Sequence, residues 1–86
     1  MDISKAKKFV CINYDDESIY ISKDVNRLLT MADDIGSNVL SIIDTEAGEQ
    51  LFEVDIAYSG EPIILRRFMH IDSFMKFYKS YNKKEI

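Results

Sequence analysis

Apolar and polar residues alternate along much of the chain, and the alternation breaks at turn-forming clusters. Lys8 to Tyr14 sets Val10, Ile12 and Tyr14 on one side and Phe9, Cys11 and Asn13 on the other, the period-two pattern of a strand. The polar run Asp15-Asp16-Glu17-Ser18 predicts a turn, and Ile19-Tyr20-Ile21 a short strand that pairs back. The period then changes. Val25, Leu28, Leu29, Ala32 and Ile35 recur at helical spacing, with Ser22 as the expected N-cap, Asp24 in the first turn and Gly36 just past the end. A helix is therefore expected over about Lys23 to Ile35.

Asn38 to Asp44 predicts a third strand, Glu49 to Tyr58 a fourth and Ile63 to Met69 a fifth, separated by Thr45-Glu46-Ala47-Gly48 and Ser59-Gly60-Glu61-Pro62. In the fourth, Phe52, Val54, Ile56 and Tyr58 alternate with Glu53, Asp55 and Ala57, so the aromatic and aliphatic set is expected to face inward. Phe74, Phe77, Tyr78 and Tyr81 follow at i, i+3, i+4 and i+7, a final helix that Asp72 can cap. The order ββαβββα predicts a two-layer α+β fold over residues 1–86: a five-stranded, mainly antiparallel sheet with two helices on one face.

Register sharpens the picture. In either plausible pairing of the last hairpin, Arg66 meets a carboxylate, Glu53 or Asp55, while Arg67 lands opposite Phe52 or Val54. A cation over an apolar position is costly unless paired or carried to water, so Arg67 is expected at the rim of the sheet. The face away from the helices collects Leu40, Ile42, Leu51, Ala57, Ile64 and Phe68. With both helices assigned to the other face, nothing in the chain covers this patch, and a partner or a second copy is expected there.

Composition narrows the function classes. The chain has 86 residues, 47% hydrophobic and 30% charged, with three glycines and one proline, which excludes low-complexity and disordered readings. No apolar run approaches a membrane span of about 18 residues, and no signal-peptide pattern is present, so a cytoplasmic location is expected. The formal net charge of −4 is unevenly distributed. Residues 1–14 and 62–86 are net basic, whereas 15–61 carries all but three of the acids. Such segments can neutralise one another on folding or mark an interaction surface.

Candidate chemistry is sparse. Cys11 lacks a second cysteine and sits among apolar neighbours, so it is expected as a small core residue. His70 has no companion at metal-ligand spacing and is expected half-exposed where the fifth strand meets the last helix. No phosphate-binding glycine loop or nucleophile elbow occurs, so no cofactor, metal or catalytic residue is assigned.

The chain is therefore expected to be a non-enzymatic protein-binding module, a regulator, adaptor or inhibitor, acting on another protein or as a homodimer. Its expected binding residues are Leu40, Ile42, Leu51, Ile64 and Phe68, rimmed by Glu49, Glu53, Asp55 and Arg66. Two alternatives stand beside it. Arg66, Arg67, Lys76, Lys79 and Lys83 could form a nucleic-acid surface, with the last three as a stripe along the final helix. The acidic residues could instead occupy the basic groove of a nucleic-acid-binding protein.

Overall fold

The computed structural model describes residues 3–86; Met1 and Asp2, which belong to the basic N-terminal segment, lie outside the described residues. After a single 3-10 turn, Ile3–Lys5, the elements are β1 (Ala6–Asn13), β2 (Ser18–Ser22), α1 (Val25–Ile35), β3 (Val39–Thr45), β4 (Gly48–Ile56), β5 (Pro62–His70), α2 (Ile71–Ser80) and β6 (Asn82–Glu85). They form one mixed sheet in the order β5-β4-β3-β1-β2-β6 with two helices, an α+β architecture. Every pairing is antiparallel except β2 with β6, which is parallel.

This corrects the expected five-stranded sheet. The aromatic spacing that predicts the last helix carries one residue too far: Tyr81 has left the helix at φ −89°, ψ 151°. Asn82–Glu85 then runs beside β2, where Asn82 N–H donates to Glu17 O and Ile86 N–H to Ile21 O, each at 2.9 Å. All four β6 residues are exposed. Such a strand is held by backbone pairing rather than burial, so no apolar alternation marks it.

The helices lie on opposite faces, which corrects the expected two-layer arrangement. Val10 and Cys11 are consecutive in β1 and point to opposite sides. Val10 and Ile12 pack with Ile19, Leu40, Ile42, Leu51 and Phe74 of α2. Cys11 packs with Val39, Val54 and the α1 residues Val25, Leu28 and Ala32. Both faces are therefore covered, and the sheet is the middle of three layers.

Local capping fixes each helix. Ser22 stands two residues before the cap: its Oγ accepts from Asp24 N–H at 2.9 Å, and Asp24 is the N-cap, accepting from Asn26 N–H at 3.1 Å. Gly36 ends α1 in the left-handed region (φ 68°, ψ 35°), where a side chain would be strained, and its N–H donates to Ala32 O. His70, not Asp72, caps α2; its Nδ1 accepts from Asp72 N–H at 3.3 Å.

Candidate functional site

The expected apolar patch is interior. Leu40, Ile42 and Leu51 are buried beneath α2 against Phe74, and Phe68 packs against the same cluster. Ile64 is half-buried opposite Val54. The alternation of these residues is as read from the sequence; the helix that covers them was assigned to the wrong side. A helix that must join two opposite edges can cross either face, and pattern alone does not choose between them.

The polar rim divides. Arg66 Nε donates to Glu53 Oε2 at 2.6 Å, the pairing expected of the shorter hairpin register. That register holds only locally. β5 shifts twice against β4, leaving Leu65 and Phe68 as extra residues between the paired positions Ile64 and Arg66, and Arg67 and Met69. Glu49 lies further off and accepts from Lys7 Nζ at 2.6 Å, with Asp44 at 3.8 Å from the same nitrogen. The hydrogen bond to Lys7 holds the Glu49 carboxyl below its ordinary value, and the bond to Glu49 raises Lys7. Asp55 Oδ1 accepts from Ile56 N–H at 2.7 Å. These contacts join basic terminal segments to the acidic middle, so part of the charge segregation is neutralised on folding.

Arg67 lies opposite Phe52, as the register requires, and it is exposed because β5 is the last strand of the sheet. It makes no ion pair among the described residues. His70 is exposed, with Asp72 Oδ2 3.4 Å from Nδ1. Cys11 is fully buried, and burial pushes its thiol up, against a lowering contact with Ser37. Among the described residues no group of three or more His, Cys, Asp or Glu gathers as a metal site, and no helix is long and apolar enough to cross a membrane.

The proposed basic stripe is broken. Lys76 and Lys79 stay exposed on α2, but Lys83 belongs to β6, donates to Tyr78 O at 2.7 Å and sits 5.1 Å from the centre of the Tyr78 ring. Lys8 approaches the same ring at 4.9 Å. The aromatic residues of α2 are likewise engaged: Tyr14 packs edge-on against Phe77 and Tyr81, with ring centres 6.0 and 6.4 Å apart. That contact, with the nearby Tyr81 hydroxyl, leaves the Tyr14 phenol raised, chiefly by desolvation.

Apart from Tyr14, Met75 and Ile86, the large exposed apolar residues gather at the far end of the β4–β5 hairpin and along β5. Tyr58 was expected inward, yet β4 ends at Ile56 and Tyr58 stands fully in solvent. The loop that carries it is closed by Ala57 N–H donating to Glu61 O and Gly60 N–H to Ala57 O. Ile56, Ala57, Tyr58 and Ile63 line an open recess of about 340 Å³. Ile63 and Leu65 continue the apolar character onto β5 at 40% and 51% exposure. Among the described residues the outward backbone groups of β5 face no further strand, although the Ile3–Lys5 turn also approaches β5. Sequence reasoning passed over this surface by treating β5 as one face of a sheet rather than as its edge. The available signal was its position after the last hairpin together with a run of three aliphatic residues, Ile63-Ile64-Leu65.

No family model matches the chain, and searches of curated proteins and of solved structures likewise give no match.

Proposed function

We propose that this chain is a non-enzymatic protein-binding module whose interface is the β5 edge and the adjoining recess, not the buried face of the sheet. The observation that carries the reading is the nine-residue terminal strand with exposed Ile63 and Leu65 and one side of its backbone without a partner strand among the described residues. Such an edge receives an extended segment by backbone hydrogen bonding, and neighbouring pockets select side chains. The recess beside Ile63 can take one apolar anchor. The buried patch beneath α2 contributes rigidity to the strand beside it rather than contact area.

A neutral extended peptide, N-methylated on alternate residues so that it pairs along one edge only, tests the reading. Titrated into isotope-labelled protein, it should shift the amides of Ile63 to Phe68 and leave those of Asn82 to Glu85 unmoved. Shifts confined to β6, or no shifts at saturating peptide, would overturn it.

A further inference from the structure

Resting on that reading of β5, we infer that its occupant is an extended acidic segment of another protein, alternating carboxylate and apolar side chains, which joins the sheet as an added strand.

The first argument is charge at the edges. β5 carries Arg66 and Arg67 and no acid; β6 carries Lys83 and Lys84 against one acid, Glu85. An antiparallel contact between two copies that centres on these residues, Arg66-Arg67 on itself or on Lys83-Lys84, sets cation against cation, which is destabilising for directly opposed residues. A second copy paired in those registers is disfavoured.

The second argument is the state of the two arginines. Arg66 is already held by Glu53 at 2.6 Å, whereas Arg67 has no ion pair among the described residues. Arg67 sits opposite buried Phe52, beside half-buried Ile64. A strand laid along β5 removes water from the outer side of this guanidinium, a cost that a carboxylate on the incoming strand offsets. The overall charge of −4 works against an acidic partner only weakly. Of the acids along this strand, Glu53 is taken by Arg66, and Asp55 and Glu61 lie at its hairpin end, opposite and before Ile63, several residues from Arg67; charges more than about 8 Å away are largely screened at physiological salt.

The third is shape. The extra residues Leu65 and Phe68 twist and bend the edge. A flexible segment can follow that path; a preformed flat strand cannot.

The test compares three one-edge peptides with the same apolar residues and Glu, Gln or Lys at the alternate positions, titrated into the full chain. The Glu peptide should bind about tenfold tighter than the Gln peptide, lose that advantage as salt rises, and shift the amides of Ile63 to Phe68. Arg67→Gln should bring the Glu peptide to the level of the Gln peptide and leave the latter unchanged; the residue is exposed, so the variant should keep its fold. Equal binding of all three peptides on β5 would overturn the acidic partner and leave the edge reading standing. Failure of every peptide to shift β5 would overturn both. A dimer with protected β5 amides would assign the edge to a second copy and overturn the inference alone.

Discussion

The sheet ends in two strands that differ in length, chemistry and origin. β6 is four residues, Asn82-Lys83-Lys84-Glu85, all exposed, with cations that discourage further pairing. β5 is nine residues, carries Ile63, Ile64, Leu65, Phe68 and Met69, has two register shifts and two arginines, and is approached by the Ile3–Lys5 turn. The difference teaches where a small α+β chain can leave room for a partner. An edge held by backbone pairing and a few exposed lysine contacts must be blunt, because little else keeps it from pairing elsewhere. An edge anchored by a hairpin and a packed core can stay open. The two are not independent, because α2 starts where β5 ends and delivers the chain to β6 on the opposite side of the sheet.

The largest expected effect tests that link. Phe74 is fully buried at the centre of the α2 face, against Val10, Ile12, Ile19, Leu40, Ile42 and Leu51. Phe74→Ala should cost about 3–5 kcal/mol in urea unfolding. It should also speed amide exchange at β5 and β6 together. Faster exchange at one edge alone would show that α2 does not couple them.

Removing residues 82–86 should cost less, about 1–2 kcal/mol, from the loss of a few exposed backbone hydrogen bonds. Two of these are Asn82 N–H to Glu17 O and Ile86 N–H to Ile21 O. The first also holds Glu17 in its left-handed turn conformation, φ 54°. The more telling consequence is association. The truncated chain bares β2, with Ile19, Tyr20 and Ile21 and no lysine guard. Light scattering should then show concentration-dependent self-association that the full chain lacks. A truncated chain that stays monomeric would mean that β6 is not a guard.

Between the edges, Ser41 of β3 is fully buried, and its Oγ has no hydrogen-bond partner among the described residues. Leaving a hydroxyl unsatisfied is unfavourable, so Ser41→Ala should raise stability by about 1 kcal/mol, read from the denaturation midpoint at unchanged slope. Loss of stability would show that the hydroxyl has a partner in solution.

What the sequence made legible follows the range of the forces involved. Strands β1 to β5 and helix α1 have local signals, either period-two alternation or helical spacing ended by Gly36, and each forms close to its expected bounds. The Glu53–Arg66 contact was within reach because a hairpin makes distant residues local. The side of the sheet taken by α2, the existence of β6 and hence the open edge depend on chain path. Phe74 would satisfy either face equally well, and Asn82–Glu85 pairs through atoms every residue has. The expected site failed for one reason: Leu40, Ile42 and Leu51 are apolar because α2 covers them, not because a partner does.

The smallest expected effect lies at the ion pair that spans β1 and β4, away from either edge. Lys7 and Glu49 are about half exposed, so salt and water leave the contact little weight. Its pH signature still has a definite sign. Glu49 is held below its ordinary value by Lys7, so its contribution is present above the ordinary glutamate range and fades as pH falls through the lowered value. Lys7 is raised, so its contribution is present below the ordinary lysine range and fades as pH climbs through the raised one. Glu49→Gln should therefore lower the melting temperature slightly between those limits and weaken its fall beyond them, most visibly at low salt, and leave binding of a strand peptide at β5 unchanged. A drop in that binding would mean that the open edge depends on charge deep in the sheet, and the contrast between an anchored edge and a blunt one would have to be redrawn as a contrast in electrostatics.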